Sequence, residues 1–125
     1  MTPPVEILVC TTCRGPDTAS QPSEGPRAGQ RLATALAHDL PKGVVVREVE
    51  CLSNCSRGCT IVLRGPGRWS FVYANLCPIA GPEVIRQGAT LYRDAPAGLV
   101  PWRQRPEHFR RNSIARIPPL EIPNA

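Results

Sequence analysis

Six cysteines carry most of the chemical potential of this sequence. Cys10 and Cys13 form a C-x-x-C pair directly after an apolar run, and Cys51, Cys55 and Cys59 form a C-x3-C-x3-C array directly after a second one. Cys77 stands apart. Thiolates are the soft ligands that favour zinc and iron–sulfur centres, and a [2Fe–2S] cluster takes four of them, two on each iron. Cys10 with Cys13 on one iron and Cys51 with Cys55 on the other meets that demand. Cys59, at a second C-x3-C interval, is the alternative to Cys13 as fourth ligand, although a cysteine before a β-run also suits a small buried hydrophobe. Cys77, between Leu76 and Pro78, reads as a buried, inert thiol. A cluster with four thiolates is anionic, and the nearby Arg14, Gly15, Arg57 and Gly58 offer guanidinium and backbone N–H groups to such a charge.

The same thiolates serve zinc, so a zinc- or cobalt-binding adaptor or metal carrier is a second reading. A third is a dithiol oxidoreductase, since C-x-x-C after the first strand of a βαβ unit is a redox pattern. Against it, a loop follows Cys13, where no helix N-terminus lowers a thiolate pKa, and the C-x3-C-x3-C array is left without a role. His38 and His108 have no partner at ligand spacing, so both read as surface residues and a mixed His/Cys cluster is not expected. No phosphate loop or Ser/His/Asp arrangement is evident, and the chain is not expected to be an enzyme.

The elements that must position the cysteines follow from periodicity. Residues 5–9 form a short strand with Val5, Ile7 and Val9 on one face. Residues 14–25, rich in Gly, Pro, Asp, Thr and Ser, are a loop. A helix over 25–40 carries Leu32, Leu36 and Leu40 at i, i+4, i+8, with Pro26 in its first turn and Pro41-Lys42-Gly43 as its stop. The β-branched run 44–49 is a second strand, expected to be central and parallel to the first. Residues 60–63 and 69–73 make a hairpin through Gly65-Pro66-Gly67, and a last helix runs from Pro82 to about Tyr92. Both cysteine clusters therefore follow the carboxyl ends of parallel strands, where ligand sites of open α/β sheets lie.

This order, βαβ followed by ββα, resembles the thioredoxin-like fold. Val9-Cys10 at the end of strand one, Cys51-Leu-Ser-Asn-Cys55 after strand two and the hairpin ending Trp69-x-x-Val72-Tyr73 resemble the thioredoxin-like [2Fe–2S] ferredoxins over residues 5–92. Most of the chain is similar to a family of bacterial predicted metal-binding proteins through Cys10-Thr-Thr-Cys13-Arg14, Cys51 to Thr60 and the tail segment Val100-Pro-Trp-Arg-x-Arg-Pro106. The resemblance implies a small cluster-bearing protein that carries electrons or serves as an accessory in cobalamin or metal metabolism. In one respect the chain departs from these ferredoxins: their second ligand lies ten or more residues beyond the first, whereas residues 14–50 contain no cysteine.

At 125 residues the size suits one compact unit, read as a thioredoxin-like domain over 1–95 and an irregular Pro/Arg-rich extension over 96–125. The formal charge is +5. From residue 101 onward five arginines face two glutamates, which makes the tail, with Trp102, a candidate either for docking on an acidic protein face or for folding back along the sheet. With two Trp, two Tyr and two Phe in the chain there is no stacking platform, so no nucleic-acid partner is expected. No run is long enough for a membrane span and no leader is evident. The expected compartment is the cytoplasm, where thiols stay reduced and clustered cysteines favour metal over disulfides. The expected partner is a redox or metabolic protein. The edge of residues 69–73 is a candidate for pairing with a second copy as a homodimer.

Overall fold

A computed structural model of the chain describes residues 4–11, 28–50, 59–76 and 81–119. They form a mixed α/β unit with a five-stranded sheet of order β2-β1-β3-β4-β5. The strands are β1 (Val5–Cys10), β2 (Val44–Val49), β3 (Cys59–Arg64), β4 (Ser70–Leu76) and β5 (Ser113–Ile117), and the helices are α1 (Ala28–Ala37), α2 (Gly81–Asp94) and α3 (Glu107–Arg111). β1 and β2 are parallel, with Cys10 level with Val49. β3 runs antiparallel to β1, β4 to β3 and β5 to β4. Among the described residues no helix is long and apolar enough to cross a membrane.

The apolar stripes decide the packing. Leu32, Ala33 and Leu36 of α1 and Ile85, Ala89 and Tyr92 of α2 are buried together with Val5, Ile7, Val9, Ile61 and Leu63 of the central strands. α1 packs on β1, β2 and β3, and α2 touches α1 as well as β1 and β2, so both helices lie on one face of the sheet. On the other face Glu6 of β1 bridges Arg64 of β3, at 2.8 Å, and Arg47 of β2. The hydrogen bond from Arg64, opposed by partial burial and reinforced by Arg47, holds its carboxyl below the usual range.

Three expectations are corrected. β2 is an edge strand, because the hairpin adds to the other side of β1 and leaves β2 at the margin; Arg47 and Glu48 in its second half are accordingly exposed. The segment after residue 95 is not irregular. It contains two short 3-10 turns (Pro96–Gly98 and Trp102–Gln104), α3 and β5, and it folds back along the sheet. β5 occupies the outer edge of β4, so the hairpin edge proposed for dimer pairing is already taken. Val100 and Phe109 of this segment join the core. The Phe109 ring stacks on Tyr73 with centroids 4.0 Å apart. It also fills the space over Gly88, where a Cβ would stand 2.0 Å from the ring.

Arginine closes the far ends of both helices. The Arg68 guanidinium donates to the carbonyls of Tyr92 (2.8 Å), Arg93 (2.9 Å) and Ala95 (3.0 Å), and Arg86 donates to Ala35 (2.8 Å) and Asp39 at the end of α1. These carbonyls stand at the negative dipole ends of the helices, where a cation is favoured. Beneath Arg68, Tyr92 donates its phenol to the carbonyl of Trp69.

Tyr73 and Tyr92 are the two tyrosines of the chain, and both are buried. Burial pushes the Tyr73 phenol up to about 12 against the opposing charge of Arg105, and burial likewise lifts Tyr92 above the usual range despite Arg68. A folded-state value raised above the unfolded value of about 10 gives a contribution that is complete below pH ~10 and is lost as pH rises through about 12. A spectrophotometric titration is therefore expected to show no tyrosinate at pH 10 in the folded protein. Tyrosinate should then appear together with the loss of circular dichroism; gradual ionisation near pH 10 with the fold intact would contradict the packing.

Candidate metal centre

Cys10 is the last residue of β1 and is fully buried. Its Sγ lies 3.6 Å from the carbonyl oxygen of Glu50, within reach of a thiol donor, just past the end of parallel β2. Thr11 continues the ladder one step further: its N–H donates to the Val49 carbonyl at 2.8 Å and its hydroxyl to the same oxygen at 3.1 Å. Thr11 and Glu50 thus mark where the ends of β1 and β2 are tied together. Cys59, also fully buried, is the first residue of β3 and pairs with Leu76, the last residue of β4. Because β3 runs opposite to β1, its beginning lies at the same end of the sheet as Cys10.

The start of α1 presses on this end. A Cβ at Gly29 would stand 1.8 Å from the Cys10 carbonyl oxygen and 2.9 Å from its carbon. Only glycine lets the helix sit that close to the strand backbone. The first residue of α2, Gly81, lies against Leu76 and Leu32, with a Cβ placed 3.6 Å and 3.3 Å from them. Both helices therefore begin at the cysteine end and finish at the arginine-capped end. Each helix start carries roughly half a positive charge, and at α1 it is the backbone of Cys10 that lies against the helix.

The β3–β4 ladder slips between Cys59 and Ile61, around the fully buried Thr60. Such bulges re-aim side chains and are common beside functional sites. A second irregularity follows on β4. Asn75 has a left-handed backbone with φ 59°, a conformation that Asn tolerates better than most residues, and its side chain donates to Asn112 at 2.6 Å. His108 Nε2 sits 3.0 Å from the Ala74 carbonyl. His108 is thus partly buried and bonded to β4, which corrects its reading as a surface residue, whereas His38 is exposed as expected.

Of the proposed ligands, Cys10 and the alternative Cys59 come to one end of the sheet. Cys13, Cys51 and Cys55 lie outside the described residues, as do Cys77, Arg14, Gly15, Arg57, Gly58 and Pro26. Among the described residues no three His, Cys, Asp or Glu side chains gather as a metal-binding group. Sequence reasoning missed Gly29 and Thr11. The signal for Gly29 was a glycine inside an otherwise Ala- and Leu-rich helix, a costly choice unless something approaches closely.

No curated protein and no solved structure matches the chain. A family model described as "Protein of unknown function (DUF1636)" matches residues 7–119, a stretch that begins in β1 and runs past the end of β5. The cysteine end and the returning fifth strand therefore fall within one matched unit, and the chain belongs to the DUF1636 family.

Proposed function

We propose that this chain is a small [2Fe–2S] protein of thioredoxin-like arrangement, with Cys10, Cys13, Cys51 and Cys55 as cluster ligands and Cys59 as the alternative to Cys13. The observation that carries the reading is the position of Cys10 at the carboxyl end of β1, bonded across to Glu50, the residue before Cys51. The strand order β2-β1-β3-β4, with the first two strands parallel and both helices on one face, supports the thioredoxin-like arrangement. The donor chemistry fits the group: Cys10 and Cys59 are thiols at one end of the sheet and shielded from water. A [2Fe–2S] cluster supplies one-electron transfer when bound. The chain's own part is to hold Cys10 rigidly through the Thr11–Val49 hydrogen bonds and to exclude water around it. The protein works in the cytoplasm as an electron carrier, or as a cluster-bearing accessory to a redox or metabolic partner linked to cobalamin or metal handling. It turns over no substrate of its own.

The test is purification without oxygen, followed by visible absorption and by iron and sulfide analysis. The expected protein is brown, with about two irons and two sulfides per chain. Cys10→Ser should lose most of the visible absorbance, and Cys77→Ser should keep it. A colourless protein with about one zinc would overturn the cluster in favour of a metal adaptor or carrier, and a metal-free protein would favour the dithiol reading.

A further inference from the structure

β5 pairs with β4 along one side, and among the described residues no strand pairs with its other side. All five of its residues are exposed, with Ile114 at 37% and Ile117 at 52%. An open edge of this kind is a row of backbone donors and acceptors available to another strand. Its surroundings are basic and aromatic. Arg116 lies over the Trp69 ring at 4.9 Å, and Arg105 sits between the Phe71 and Trp102 rings at 5.2 and 5.5 Å. Arg110 precedes the strand and is exposed, as is Trp102 at 56%.

We propose that the outer edge of β5 takes an extended acidic segment of another protein as a sixth strand. Backbone pairing along 113–117 would supply binding, while Ile114, Ile117 and the arginines would select apolar and acidic side chains. Charge chooses this occupant over a second copy. Antiparallel self-pairing centred on Ala115 would set two Arg116 side chains diagonally on one face, a like-charge arrangement that opposes association. An acidic strand meets the same groups with opposite charge. The inference is independent of the metal centre, since β5 lies at the margin of the sheet, separated from β1 by β3 and β4.

The competing account is that arginine, shortness and the following Pro118-Pro119 simply guard the edge against aggregation. A fluorescent peptide of alternating Glu and Val, compared with its Lys-for-Glu counterpart, separates the two. By fluorescence anisotropy on the full chain, the acidic peptide should bind about tenfold more tightly than the basic one and weaken as salt is raised. Hydrogen exchange should show new protection at amides of 113–117. Arg110→Glu combined with Arg116→Glu, both at exposed positions and checked for an unchanged unfolding midpoint, should remove most of the preference. Equal binding of the two peptides, no binding, protection elsewhere, or wild-type self-association through this edge in sedimentation would each overturn the proposal. The exchange and salt measurements need no variant, so a misfolded double mutant leaves the test intact.

Discussion

Gly29→Ala should destabilise the protein by about 2 kcal/mol or more, even though alanine is the better helix former by ~1 kcal/mol. The new methyl group would stand 1.8 Å from the Cys10 carbonyl oxygen, and neither partner is a flexible side chain that can swing away. The start of α1 and the end of β1 must separate, and the buried surface of Leu32 and Leu36 against the sheet opens with them. Thermal unfolding should fall by roughly 8 °C, at ~4 °C per kcal/mol for a chain of this size. Because the displaced carbonyl belongs to Cys10 itself, the cluster proposed above also predicts a drop in the iron content of anaerobically purified protein. An unchanged midpoint would show that α1 does not sit on β1 as described. A lowered midpoint with undiminished iron would show that shifting the Cys10 backbone leaves the proposed cluster in place, and would leave the fold standing.

The second large effect lies at the other margin of the sheet. Phe109→Ala should cost about 3–5 kcal/mol, the usual loss for a buried phenylalanine whose cavity cannot fully collapse. The ring is 2% exposed, stacked on Tyr73 and seated over Gly88. Gly88→Ala alone should also destabilise, because its Cβ would lie 2.0 Å from the same ring, an overpacking cost of about 1–3 kcal/mol. The double variant should lose clearly less than the sum of the two, since the alanine methyl then enters space the ring has left. Chemical denaturation of the four proteins measures this as a coupling energy. Strict additivity would mean that Phe109 does not occupy the space over Gly88.

Much of the architecture could be read locally. The β-branched run 44–49, the hairpin around Gly65-Pro66-Gly67 and the apolar stripe Ile85, Ala89, Tyr92 each carry their period within a few residues, and each appears as β2, the β3–β4 pair and α2. What could not be read locally depends on distant partners. A Val-rich strand looks central until the hairpin is seen to join β1 on the opposite side. Ser113-Ile-Ala-Arg-Ile117 has no clean alternation, and it sits among prolines and arginines that suggest a solvated tail. It becomes a strand because β4 offers an edge and Phe109 finds a glycine on α2 to cover. His108 likewise has no sequence signal for its contact with Ala74. At the candidate site, the cysteines named Cys10 and Cys59 as chemically distinctive, but nothing in their spacing pointed to the helix glycine that packs against Cys10.

The pairing of β5 with β4 also sets an order of events at the ribosome. Among the described strands β5 is synthesised after the other four, so β4 and the glycine face of α2 emerge well before the residues that cover them. Until 105–117 follow, the nascent chain carries an unsatisfied strand margin beside an uncovered aromatic cluster, the kind of surface on which premature intermolecular association begins. Translation that stalls within 105–117 should therefore release an aggregation-prone fragment rather than a shortened working protein.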